Sequence, residues 1–161
     1  MISRTQNFVY SMAQHRKQRG LAVVESVIVL PLVLFIMLAV AEFGNAILQY
    51  NSLTQSVRDG AKFVAVAARR GSSGSVNLTA EDISETSNIV AYGTIAAGTP
   101  LLPGLSPADV TVPDLGNGNV SVTANYGYQP FFLGGVPNLV GGGNPGGAFT
   151  LSAEVVMRVL F

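Results

Sequence analysis

Leu21–Ala41 reads LAVVESVIVLPLVLFIMLAVA, 21 residues in which only Glu25, Ser26 and Pro31 are not apolar. A helix rises 1.5 Å per residue, so this run covers about 30 Å, the thickness of a bilayer's hydrocarbon core. Core helices of soluble proteins rarely stay apolar on every face for that length, and the run is read as a membrane span. Its flanks differ in charge. Met1 to Gly20 carries Arg4, Arg16, Lys17 and Arg19 with no acid, a net +4, whereas Leu21 to Phe161 carries five basic and nine acidic residues, a net −4. Positive charge stays on the cytoplasmic side of a span, which predicts a cytoplasmic N-terminus and a C-terminal body outside.

The rest of the composition narrows the chemistry. Only 11% of residues are charged, against about 25% in ordinary soluble domains. Cysteine is absent, which excludes disulfides, thiolate zinc sites and a cysteine nucleophile. His15 is the sole histidine, which removes most acid–base and metal chemistry. Glu81 and Glu85 lie four apart on one helical face, but no histidine lies near in sequence, so a solvated face is expected rather than a cation site. Gly141–Gly146 formally matches GxGxxG, yet a strand follows it instead of the helix that would receive a pyrophosphate. Basic residues in the body are too few for nucleic acid. No enzyme, no cofactor, no metal and no small-molecule substrate is expected.

A carboxylate inside a span costs about 2.5–3.5 kcal/mol at the centre and calls for an explanation. Here Gly20 ends the basic head and Glu25 follows five positions later. That arrangement resembles the class III prepilin signal of type IV pilins. The resemblance implies cleavage between Gly20 and Leu21 by a separate membrane aspartyl prepilin peptidase, with the apolar helix kept on the mature chain. A free α-amino group has a pKa of about 7.7–8.0 and is mostly charged at neutral pH, so Glu25 of one subunit would neutralise the new amine at Leu21 of a neighbour. Snorkelling of Glu25 to the cytoplasmic interface is the other reading, since it sits about one turn inside.

After Glu25 come Val29-Leu30-Pro31-Leu32, Ala41-Glu42-Phe43-Gly44, and Val57-Arg58-Asp59-Gly60-Ala61-Lys62. In order and spacing these are similar to the TadE/TadG-like family, minor pilins or pseudopilins of the tight-adherence (Flp) type IV pilus system. The motif positions carried over are Pro31 in the middle of the span, Glu42 and Gly44 at its exit, and Arg58, Asp59 and Gly60 on the following helix. The detailed likeness covers about residues 19–70. One departure is Ser26, where the family commonly places an aromatic residue after the glutamate.

Beyond Ala41, Ile47, Tyr50, Leu53, Val57, Ala61, Val64 and Ala68 recur at steps of three or four, which predicts that the helix continues to Arg70, about 75 Å in all. Gly44 and Gly60 weaken it by about 1 kcal/mol each relative to alanine. Pro31 either kinks it or is tolerated without a task. Gly71 suits a left-handed cap, and Ser72-Ser73-Gly74-Ser75 suits a linker. Thr79 is read as the cap of a short helix running to Tyr92, with Ile83 and Val90 inward and Gly93 ending it. Strands are predicted at Asp109–Pro113 and Asn119–Tyr128, with turn chemistry over 115–118. A last strand alternates Phe149, Leu151, Ala153, Val155, Met157, Val159 and Phe161 against Thr150, Ser152, Glu154 and Arg158. Seven of 18 glycines fall between Gly134 and Gly147, which reads as a surface loop.

The expected fold is α+β. Residues 1–20 are a basic leader, 21–41 the transmembrane segment, 42–70 its amphipathic continuation, and 71–161 a small extracytoplasmic head with one short helix and about three antiparallel strands. The expected role is assembly of a Tad pilus used for surface adherence. The expected partners are the inner membrane, the prepilin peptidase, other pilins and assembly-platform proteins. A membrane-anchored binding or sensing domain that never polymerises is the alternative.

Overall fold

A computed structural model describes residues 3–70, 76–130 and 149–159. Gly71, the 72–75 linker, the Gly134–Gly147 loop and Phe161 lie outside the described residues. By internal contacts the chain divides into two units, Met1–Ala41 and Glu42–Phe161. Helix α1, Ser3–Ala67, supplies the described structure of the first unit and opens the second. A 3-10 turn, Ala68–Arg70, ends it.

Within the first unit every described side chain from Val23 to Ala41 is exposed. The most apolar window of α1 has a mean hydropathy of 2.8 with none of it buried, so among the described residues one helix is long and apolar enough to cross a membrane. The helix is continuous through Pro31, whose ring nitrogen has no hydrogen to offer the carbonyl one turn back.

The second unit has a core of its own. Along α1, Ala46, Leu53, Val57, Ala61, Val64 and Ala68 form one buried stripe. Ile47 and Tyr50 belong to the predicted repeat but stand off this stripe and remain exposed, because Ala46, seven residues before Leu53, takes the inward position. Helix α2, Ala80–Tyr92, starts as read: Thr79 caps it, and the Asp82 carboxylate accepts from the Thr79 backbone N–H in a capping box. Gly93 ends it at φ 75°, the left-handed conformation that glycine adopts without strain. Its inward face is Asp82, Thr86, Ser87, Val90 and Ala91. Ile83, expected inward, is exposed; Thr86 and Val90 meet α1 at Gly60 instead, and small side chains suit that close crossing.

Among the described residues four antiparallel strands complete the unit, one more than the sequence suggested: β1 Val110–Thr111, β2 Asp114–Gly116, β3 Asn119–Tyr128 and β4 Phe149–Arg158. β3 is central. It pairs with β4 over its full length, from Asn119↔Arg158 to Tyr128↔Phe149, and on its other side with both β1 and β2. The additional strand is β2. It joins β3 through Asn117 and Gly118, both at positive φ (53° and 74°), the two-residue hairpin turn that such residues favour. Val120, Val122, Ala124, Tyr126 and Tyr128 all face the core, as alternation predicts. On β4 the face is as read from Leu151 on, with Ala153 buried, Leu151, Val155 and Met157 packed against the core, and Ser152, Glu154 and Arg158 in water; Phe149, read on the inward face, is exposed at the strand's start.

Candidate functional site

The motif positions on α1 separate into three groups. Gly20 and Leu21 lie in the helical backbone of α1. Glu25 is exposed, and with Ser26, Val29, Leu30 and Val33 it lines a shallow open groove on the helix surface. These positions belong to the first unit.

Glu42 is the first residue of the second unit and the first polar side chain after the apolar run. It is 5% exposed. The Tyr128 hydroxyl donates a short hydrogen bond to its Oε1 and accepts one from Asn45 Nδ2 at 3.2 Å. Two turns along, Gln49 Oε1 accepts from the Tyr126 hydroxyl at 3.0 Å, and the Pro103 carbonyl shares that donor at 3.1 Å. Glu42, Asn45 and Gln49 therefore make a polar edge on α1 at steps of three and four. The inward tyrosines of β3 meet it with their hydroxyl tips. Burial pushes the Tyr128 hydroxyl above its usual pKa of 10.0, and the hydrogen bond to Glu42 adds to the rise. Burial alone raises Tyr126. Both phenols are thus held neutral, as donors to acceptors on α1. The Tyr128 ring also packs on Phe149, with centroids 4.8 Å apart, so the facing ends of β3 and β4 meet α1 at Glu42.

The third group lies one helical stretch on. Gly60 is where α2 crosses α1: a Cβ there would stand 2.6 Å from Val90 Cγ2 and 3.4 Å from Thr86 Cγ2. No side chain fits without displacing a fully buried valine. Gly44 is different, with nothing within 4 Å of a Cβ built on it. Arg58 and Asp59 point to solvent, and Asp59 pairs with Lys62 at 2.8 Å on the surface. The run Arg58-Asp59-Gly60 is therefore split by the helix into two exposed charges and one close-packing glycine.

Sequence reasoning placed Glu42 as a motif position at the exit of the span and Gly60 as a weak point in the helix. It missed Tyr128 as the partner of Glu42, the Asn45–Tyr128 and Gln49–Tyr126 hydrogen bonds beside it, and Val90 against Gly60. The available signal was the pair of tyrosines at inward positions of β3, since a buried phenol requires a hydrogen-bond partner.

No curated protein and no solved structure gives a significant match. A family model does: the one described as TadE-like protein matches residues 20–62. The matched segment begins at Gly20 and contains Glu25, Pro31, Glu42, Gly44 and the Arg58–Gly60 run. Residues 20–62 are thus similar to the TadE-like family, a match consistent with the TadE/TadG-like resemblance read from the sequence and confined to that segment.

Proposed function

We propose that the protein is a minor pilin or pseudopilin that acts in assembling a Tad (Flp) pilus used for surface adherence. The observation that carries this reading is the family match over residues 20–62, on a helix whose apolar stretch is wholly exposed. An apolar surface of that length is suited to lipid before assembly and to neighbouring helices within a pilus.

In this reading the chain waits in the inner membrane as a single-pass protein, with the Arg16, Lys17 and Arg19 flank in the cytoplasm and the head outside. A separate prepilin peptidase cuts between Gly20 and Leu21. Proteolysis acts on extended backbone, and the Gly20–Leu21 bond lies within α1, so this turn must open for cleavage. Glycine lowers the cost of that opening, having the poorest helix propensity after proline. The chain is then substrate and not catalyst. The new amine at Leu21 is one helical turn from Glu25, and in a bundle the carboxylate pairs with the amine of an adjoining pilin. The head, residues 71–161 on the amphipathic stem 42–70, is the part presented to other pilins and to assembly-platform proteins.

Glu25→Gln tests this reading. An uncharged amide is cheaper in lipid, so insertion is unaffected, and cutting at Gly20 does not require the charge. The expected outcome is a variant that is inserted and trimmed at near-normal levels but supports no pili and no crosslinks to other pilins. Normal pili in a strain whose only copy is Glu25→Gln would rule out the pairing role.

A further inference from the structure

The two sides of α1 change character at different places. On the inward side the polar edge begins at Glu42 and is covered by Tyr128 and Tyr126. On the outward side large apolar residues continue: Phe43 is 69% exposed, Leu48 67%, and Ile47 and Tyr50 are each more than 40% exposed. Polar residues take over that side only at Asn51, Ser52 and Gln55. Phe149, packed on Tyr128 beside Glu42, is also exposed.

Bilayer dimensions give these residues a place. A hydrocarbon core of about 30 Å holds about 20 helical residues. With Glu25 at the near boundary, where its carboxylate reaches water, the core runs over about Ser26 to Asn45. The headgroup layer of one leaflet is about 5–8 Å deep, or four to five further residues, which ends at Tyr50. The outward apolar side of α1 ends at the same residue. At the depth of Glu42 a bare carboxylate would face lipid, but Tyr128 covers it. Aromatic side chains at this level are typical of membrane interfaces.

We infer that the outward face of Phe43, Ile47, Leu48 and Tyr50 is a lipid-binding surface, with Phe43 at the edge of the hydrocarbon and Ile47, Leu48 and Tyr50 in the headgroup layer. This rests on the membrane-anchored reading above, and the occupant is the lipid of the leaflet on the head's side.

The absence of cysteine makes the test direct, because single cysteines can be introduced at exposed positions and labelled with an environment-sensitive fluorophore. The full chain is reconstituted in phosphatidylethanolamine–phosphatidylglycerol vesicles with Phe43→Cys, Ile47→Cys, Leu48→Cys or Tyr50→Cys. Gln55→Cys is the aqueous reference and Leu34→Cys the core reference. The expected result is iodide quenching at 43, 47, 48 and 50 at least threefold weaker than at 55, with spin-labelled lipid quenching 47, 48 and 50 best when the label is near the headgroup and 43 best when it is in the adjoining acyl chain. Iodide quenching at 43 and 47 equal to that at 55 overturns the inference, while a lipid-quenched probe at 34 leaves the anchored reading intact. A probe at 34 that lipid labels do not reach overturns both. Protection at 43 and 47 that vanishes on dilution with excess lipid identifies a protein neighbour as the occupant and also overturns the inference.

Discussion

Leu34 and Leu53 sit on the same helix, yet one is 51% exposed and the other 0%. The difference is one of pattern, not of residue type. Around Leu34 apolar residues cover all sides of α1, so no single protein surface can bury them, and a bilayer or a ring of neighbouring helices can. Around Leu53 one side of the helix is a stripe, Ala46, Leu53, Val57, Ala61, Val64 and Ala68, which α2 and the sheet cover, and from Asn51 the opposite side turns polar. Burying a leucine of that kind stabilises by about 1.5–3 kcal/mol, so the stripe holds the head on its stem while the first stretch waits for a different solvent. The comparison locates the change at Ala41 and Glu42, where the side chain that ends the apolar run becomes part of the head.

The largest way to break the second region is at its tightest point. Gly60→Val drives a side chain into Val90, and overpacking of this kind typically costs about 1–3 kcal/mol, with the upper end expected here because Val90 is fully buried. Gly44→Ala on the same helix meets nothing, and is expected to be neutral or to stabilise by up to about 1 kcal/mol. Urea titration of the full chain in detergent micelles, followed by tyrosine near-ultraviolet dichroism, reads both. Equal effects at the two glycines would contradict the crossing.

Next is the boundary itself. Tyr128→Phe deprives the buried Glu42 of one donor, with an expected loss of about 1–3 kcal/mol. Glu42→Gln on the Tyr128→Phe background should cost less than on the wild type, since the partner is already gone. The pH dependence has a definite sign. The folded chain holds Tyr128 above the ordinary 10.0, so its neutral form is favoured on folding. That contribution is complete below pH 10 and is lost as pH rises beyond it. Stability against pH for Tyr128→Phe should therefore fall less steeply on the alkaline side than for the wild type.

Smaller effects come from the edges of the head. Thr79→Ala removes the α2 cap at a cost of about 1 kcal/mol. Lys62→Ala breaks an exposed ion pair and is expected to change stability by no more than about 0.5 kcal/mol. A Lys62→Ala effect larger than that of Thr79→Ala would show that the helix surface near Arg58 and Asp59 is structured by more than local pairing.

Much of this was legible from local pattern. The apolar run, the caps of α2 at Thr79 and Gly93, the bounds of β3 and the buried face of β4 follow from period and capping chemistry, which depend on near neighbours in sequence. β2 was hidden because Gly116-Asn117-Gly118 reads as turn throughout, although Asp114–Gly116 pairs across it with Asn119 and Val120. Ile83 was misplaced because the crossing at Gly60 selects small side chains over the most apolar one. Glu42 and Gly60 were visible as motif positions, but their partners Tyr128 and Val90 lie 86 and 30 residues away and leave no periodic trace.

N-terminal sequencing of the protein extracted from membranes tests the pilin reading most directly. The expected mature chain begins at Leu21, five residues before Ser26, while Gly20→Val is inserted normally and stays uncut. A wild-type chain that retains Gly20 and the basic residues before it, in cells carrying an active prepilin peptidase, would contradict the reading and leave a permanently anchored head in its place.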